Sequence, residues 1–227
     1  MKSSRSFAAL CAVALTITAV TATHSADPIT YTRYDLTDKL VIDLPSTWTI
    51  NQEALTRRED LLVQYDHSPN PTRPRPDSEF LNADAPSASE GRVFVDEKAA
   101  PNTPAPPVSP TQLAAYDRAE RQRVIGVAKS VKGELLTWNP MKQGKVGAFT
   151  GFIGDYTISF GPDKLYVHQA KIRRGSHEIR LEFNCPATEM PAYAPVIPHI
   201  FDSFRLLATN EKPTNLVVHR PSPPSKN

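Results

Sequence analysis

Cysteine is scarce in this chain. Its 227 residues include two, Cys11 and Cys185, and Cys11 lies inside an apolar N-terminal run that is expected to be removed. One remaining cysteine excludes an internal disulfide, so the fold must rest on its core. Cys185 closes the apolar stretch 179-IRLEFNC-185 and reads as a buried small hydrophobe, with no neighbouring Lys or His to activate it. Charge of one sign is also lacking. The formal net charge is +2, and basic residues occur only as the pairs Arg57-Arg58 and Arg173-Arg174 and as a scatter along 118-RAERQR-123. Binding a nucleic-acid backbone needs a concentrated positive face, so this class is excluded and the scatter reads as solvated surface.

The motifs of catalysis and metal binding are missing too. Six histidines are present, but none stands in an H-x-x-x-H pattern, and no C-x-x-C occurs. Gly144, Gly147, Gly151 and Gly154 match neither phosphate-loop spacing and suit a twisted or bulged strand. No G-x-S-x-G elbow appears. Asp202 and Ser203 lie near His199, but on a segment whose apolar side is core. The expectation is no catalytic residue, no cofactor and no metal.

Proline is abundant instead, with 22 residues, about twice the usual ~5% usage. The prolines cluster around an otherwise ordinary composition. The N-terminus carries Lys2 and Arg5, then 7-FAALCAVALTITAV-20, too short for a spanning helix. Small residues at Val20-Thr21-Ala22 and Ser25-Ala26 offer two cleavage points. Residues 1–22 are therefore expected to be a signal peptide, with cleavage as late as Ala26, and the mature chain to have no stable membrane insertion.

The segments 29–36 and 40–44 read as strands, the second stopped by Pro45, which cannot donate to a ladder. Trp48 then re-enters apolar surroundings as a core anchor. The stretch 61-LLVQYDH-67 reads as a strand. Residues 68–109 read as a Pro-rich insertion that returns one strand, 92-RVFV-95, to the sheet. Ser109, Pro110 and Gln112 make a capping box for a helix whose apolar line runs through Leu113, Tyr116, Val124, Val127 and Val131. A meander follows, with strands at 134–138, 145–153, 156–160, 165–172 and 177–183 and turns at 154–155, 161–164 and 173–176. In the last hairpin, Ile172 is expected opposite His177 and Lys171 opposite Glu178 on a solvent face. This register sets His168 against Leu181. The stretch 194-APVIPHIFDSFRLL-207 reads as a short helix running into a terminal segment, and it closes a single domain of residues 27–207. Residues 208–227 read as a flexible Pro-rich tail.

Leu44, Pro45 and Trp48 form an L-P-x-x-W corner, and Ile200, Ser203 and Phe204 form an I-x-x-S-F ending. With the central helix and the meander between them, these elements resemble the PsbP/Mog-like fold, closest in style to bacterial envelope proteins of the DcrB type. The resemblance implies an α+β α/β/α sandwich: a mostly antiparallel twisted sheet of six or seven strands flanked by helices. It also implies a non-enzymatic protein that binds other proteins. The chain departs from the DcrB type in lacking a lipidation cysteine after the apolar run. The expected function is a monomeric, periplasmic or secreted protein-binding module, an envelope accessory factor. Its partner surface is expected at the 173-RRGS-176 tip, through Arg173 and Arg174, because the guanidinium fork suits carboxylates and rings. Two alternatives stay open: an immunity-type protein neutralising a secreted toxin, and a small envelope hydrolase. Mass spectrometry of the protein made in its native host should give an N-terminus between residues 23 and 27; an intact Met1 contradicts the export reading.

Overall fold

A computed structural model of the chain describes residues 28–36, 39–68, 76–86, 90–100 and 103–217. The signal-peptide expectation lies outside these residues. The architecture is α+β. Among these residues seven antiparallel strands form the main sheet in the order β3 (Thr49–Ile50), β4 (Ser78–Asp84), β5 (Arg92–Ala99), β9 (His177–Pro186), β8 (Asp163–Arg174), β7 (Phe149–Phe160) and β6 (Leu135–Val146), and a second sheet has the order β1 (Tyr31–Asp35), β2 (Leu40–Pro45) and β10 (Arg205–Leu206). Strands β1 (Tyr31–Asp35) and β2 (Leu40–Pro45) pair antiparallel. Leu40, Ile42 and Leu44 of β2 enter the main core, and β2 ends at Pro45 as the missing donor requires.

The corner then turns on a hydrogen bond from Trp48 N to Pro45 O, 2.9 Å. The indole is buried, 6.3 Å from the Phe183 ring and edge-on to Tyr193 at 6.1 Å. The tryptophan is therefore a core anchor between the strand it leaves and β9 (His177–Pro186). Tyr193 is positioned in turn by donation from Gly91 N to its hydroxyl, 3.0 Å. A Cβ at residue 91 would stand 2.4 Å from that ring, so only glycine fits there.

The strand expected at 61–67 is instead the end of a helix, α1 (Gln52–Asp66). Asn51 caps it, its side chain accepting from Ala54 N at 3.0 Å, and Leu55 is its buried anchor. Leu61 and Val63 are exposed, so their strand-like alternation has no sheet behind it. The Pro-rich stretch holds two strands rather than one. After β3 (Thr49–Ile50) come β4 (Ser78–Asp84) and β5 (Arg92–Ala99), with β5 inside the sheet between β4 and β9. The polar pattern of β4 hides it: Glu79 and Asn82 are buried, and Asn82 Nδ2 donates to Glu79 Oε1 at 2.8 Å.

Helix α2 (Pro110–Ser130) begins with the expected capping box. The meander has four long strands, not five: β6 (Leu135–Val146), β7 (Phe149–Phe160), β8 (Asp163–Arg174) and β9. The expected turn at 154–155 is mid-strand. There Gly154 leaves room for the Met141 sulfur, 2.4 Å from where a Cβ would be, next to a bulge in β6 between Asn139 and Lys142. The real turn is at Gly147, with φ +56, and it is held by Ala148 N donating to Phe204 O at 3.0 Å.

The closing helix is short, as expected. It is split into α3 (Met190–Tyr193) and α4 (Ile197–Ser203), and the chain then pairs with β2 as β10 (Arg205–Leu206). Ser203 ends α4: its hydroxyl donates to Ile200 O (2.8 Å) and accepts from Asp43 N (2.9 Å). Phe204 is fully buried. The I-x-x-S-F ending is thus a clamp of helix onto β2. Residues 208–217 are not a free tail. Asp35 accepts from Thr214 N at 2.7 Å, Glu211 pairs with Arg205 and Arg33, and Val217 is buried.

Replacing Trp48 by Ala should destabilise the protein by about 3–5 kcal/mol, the range for deleting a large core aromatic. With Trp138 changed to Phe so that one indole reports, native emission should be blue-shifted. An unchanged melting temperature would place Trp48 outside the core.

Candidate functional site

The two faces of the main sheet differ. One carries Val93, Val95, Ile179, Leu181 and Phe183 into the main core. The other lies under α2, whose Val124 and Ala128 pack on Tyr156, Ile158 and Val167. Those two are the helix's only fully buried apolar residues; its third buried residue is Glu120. The rest of its attachment is polar. Asp117 Oδ1 accepts from Trp138 Nε1 (3.1 Å) and Met141 N (2.7 Å) on β6. Tyr116 OH donates to Glu178 on β9 at 3.1 Å.

Between these contacts sits a buried ion cluster. The Lys171 ammonium, with its side chain 1% exposed, lies 2.6 Å from Glu120 Oε2 and 3.6 Å from Glu178 Oε1. Arg123 reaches Glu120 at 2.6 Å. Lys98 Nζ stands 3.4 Å from Glu178, and Thr103 donates to it at 2.8 Å. Burial pushes the Glu120 carboxyl up, but the Arg123 hydrogen bond and the charges of Lys171 and Arg123 hold it down, at about 2. Burial also lowers the Lys171 ammonium, against the pull of Glu120 and Glu178. Glu178 is lowered: burial works against ionisation, and Lys171 and Lys98 outweigh it. Burial, then the Glu178 charge, raises the Tyr116 phenol. A low-lying amine is the raw material of Lys chemistry. Here it is enclosed and bonded to carboxylates, so the cluster fastens α2 to the sheet.

The hairpin register differs from the expected one by two residues. Ile172 pairs with Ile179, Arg174 with His177, and Lys171 with Arg180. Gly175, at φ +62, permits a two-residue turn, so Arg173 and Arg174 stay in the ladder. A slide of two preserves the faces, and Lys171 and Glu178 become diagonal neighbours. Their face is not solvent, because α2 covers it.

Arg173 does not project from the tip. Its Nη1 donates to Ala100 O at 2.9 Å and to Thr103 O, and its Nε to Gly175 O. Arg174 is half-buried. The tip is therefore braced against Ala100 and Thr103.

His168 is opposite Phe183, not Leu181. Its ring meets Phe201 edge-on at 4.6 Å, and burial lowers its pKa. Asp155 pairs with His168 across β7 and β8, and Cys185 lies two residues from Phe183 on the same face. This Cys–His–Asp order resembles a nucleophilic set. Burial, with Glu189 nearby, pushes the thiol up to about 12, so it supplies no thiolate. His199 stacks on Tyr31, ring centroids 3.5 Å apart, with Nε2 3.8 Å from Asp43. His67 bonds Val63 O, and His177 is exposed. His24 and His219 lie outside the described residues. Among the described residues no three His, Cys, Asp or Glu side chains gather as metal ligands do, and no helix is long and apolar enough to cross a membrane.

No family model matches the chain, and no curated protein matches it in sequence. Solved structures are similar to it in fold. CyanoP, the cyanobacterial PsbP of Synechocystis sp. PCC 6803, is 10% identical with a TM-score of 0.47, over 80% of this chain and 95% of that one. The Ran-binding protein Mog1p of Saccharomyces cerevisiae is 9% identical with a TM-score of 0.46, over 79% and 96%. LpqN of Mycobacterium tuberculosis, described as involved in cell envelope biogenesis, is 12% identical with a TM-score of 0.41, over 80% and 87%. The chain is similar to both PsbP and Mog1 structures, as the resemblance in its sequence implies.

Acid unfolding tests the cluster. A carboxylate held low in the fold adds stability above its unfolded value and loses it as pH falls toward the folded one. For Glu120 that window runs from about pH 4.5 down to about 2. Urea midpoints of the wild type should fall across it, and Glu120→Gln should start lower and fall less. Equal slopes in both proteins contradict the ion cluster.

Proposed function

We propose that this chain is an exported, non-enzymatic protein-binding module, an accessory factor of the cell envelope, that docks its partner at the β8–β9 tip. The supporting observation is that the side chains best suited to chemistry are held in structural bonds. Lys171 and Glu120 hold each other, Ser203 clamps α4 to β2, and the Cys185 thiol is buried and pushed up to about 12. A braced tip also favours binding, since a loop that is already ordered loses less entropy on docking. In this reading Arg173 holds the tip in shape and Arg174 meets the partner.

A photo-crosslinking residue at the exposed Ser176 position, in the native host, should yield one dominant adduct with another envelope protein. Arg174→Ala should weaken capture of that protein about tenfold, roughly 1.4 kcal/mol, without changing the circular dichroism. No adduct at position 176, or capture unaffected by Arg174→Ala, contradicts the proposal.

A further inference from the structure

Residues 208–217 are attached to the second sheet as a ligand is attached to a site. From Ala208 to Leu216 no residue is buried. Leu216 is 55% exposed, and of this stretch only Val217 enters the main core. The rest of the attachment is main-chain and polar. Asp35 N donates to Asn215 O at 3.0 Å and Val217 N donates to Asp35 O at 2.9 Å, a parallel bridge centred on Leu216. Both main-chain groups of Asp35 therefore point away from β2. Arg33, two residues earlier, offers its carbonyl on the same edge, and Asn215 Nδ2 donates to it at 2.8 Å. Asp35 Oδ2 accepts from Thr214 N (2.7 Å), Thr214 Oγ1 (3.2 Å) and Asn215 N (3.4 Å). Glu211 takes both arms of the Arg205 guanidinium at 2.7 Å and pairs with Arg33.

Each of these contacts reads a residue type. Glu211 is read as an acid, by a planar fork that suits a carboxylate. Thr214 and Asn215 are read by the Asp35 carboxylate and the Arg33 carbonyl, and Val217 by burial. Lys212, Pro213 and Leu216 face solvent and are not read. The site itself is built to stay filled. Asp35 is buried, and lifting the segment would remove three of its hydrogen bonds, a costly loss for an enclosed carboxylate. Val41 is fully buried yet belongs to neither core cluster. It faces away from Leu40 and Ile42, between Asp35 and Arg205, the two side chains that the segment ties down. An empty site would thus combine an apolar patch with an undersatisfied carboxylate, and it favours any copy of the segment that reaches it.

The hinge is as lightly held as the segment. Ala208, Thr209 and Asn210 are exposed, in a turn closed by Glu211 N donating to Ala208 O (3.0 Å) and Ala208 N donating to Glu211 Oε2 (3.1 Å). One buried side chain and a set of hydrogen bonds near solvent mark a segment that opens locally without global unfolding. A second copy carries the one segment already matched to this site residue by residue. Exchange between two copies is reciprocal, so it closes as a two-fold pair and leaves neither site empty. We propose that the outer edge of β1, with Arg33, Asp35 and Arg205, is a strand-acceptor site, and that a second copy of this chain fills it by exchanging residues 211–217. The site selects an extended acid-x-x-Thr-Asn-x-aliphatic segment. It belongs to the second sheet and is independent of the β8–β9 tip.

The test uses the chain from residue 27 onward, which keeps every described residue. Within one chain the short tether supplies a roughly millimolar local concentration of the segment. The wild type should therefore sediment as a monomer at about 10 μM. Deleting Thr209 and Asn210 removes the turn, so that the segment reaches only a neighbour's site. This variant should sediment as a dimer at about 10 μM, and excess synthetic peptide of residues 208–217 should return it to monomer. A second measurement serves if the deletion variant does not fold. Glu211→Gln with Thr214→Ala loosens the segment in its own site, and this variant should bind the fluorescein-labelled wild-type peptide at least about tenfold more tightly than the wild type does. Adding Arg205→Gln should reverse that gain. A folded deletion variant that stays monomeric overturns the proposal, as does a dimer that excess peptide leaves intact. Equal peptide affinity in the loosened variant and the wild type also overturns it, as does a gain that Arg205→Gln leaves unchanged.

Discussion

Lys171 is buried on the face of the sheet that α2 covers, and its ammonium must meet negative charge there. Two carboxylates supply it, Glu120 from the helix and Glu178 from the neighbouring strand. Each is held in turn by a further cation, Arg123 or Lys98. The helix buries only two apolar side chains fully, so it has no broad hydrophobic stripe of its own. Its position therefore depends on where the buried charges pair. Desolvation makes such pairs weak contributors to net stability, yet an unpaired member is strongly destabilising. The cluster accordingly acts as a register pin. Glu178 ties together β9, β5, α2 and residue Thr103, and Arg173 donates to Ala100 O beside it.

Much of the frame is legible in the sequence. The Pro45–Trp48 corner, the Ser109 capping box and the Ser203–Phe204 ending each obey a local rule, and each is found where that rule puts it. Misreadings occur where tertiary pairing overrides local pattern. The run Leu61–Val63 looks like a strand because three apolar residues adjoin, but the Asn51 cap ten residues earlier starts a helix through them. Strand β4 is hidden because Glu79 and Asn82 pair inside the fold. The turn at Gly147 is missed because its stabilising acceptor is Phe204 O, far along the chain.

The buried cluster was partly visible. Glu120 falls on the same helical line as Tyr116 and Val124, a carboxylate at a core position. That anomaly signals a buried partner. The partner cannot be named from sequence, because Lys171 looks like the polar half of an alternating strand until α2 is laid over it. The scatter along 118–123 reads as solvated surface, and its placement divides it. Its one acid, Glu120, is buried and holds Arg123, while Arg118 and Arg121 are exposed.

The central claim is that Glu120 and Lys171 act as a unit that locks α2 onto the sheet. A double-mutant cycle with Glu120→Gln, Lys171→Met and the double variant measures this directly by urea unfolding. Contacting ionic groups should show a coupling energy of about 1–3 kcal/mol, with the double variant more stable than the single losses together predict. Additivity within about 0.5 kcal/mol would contradict the account, and α2 would then be held by its packing and by the Asp117 and Tyr116 hydrogen bonds.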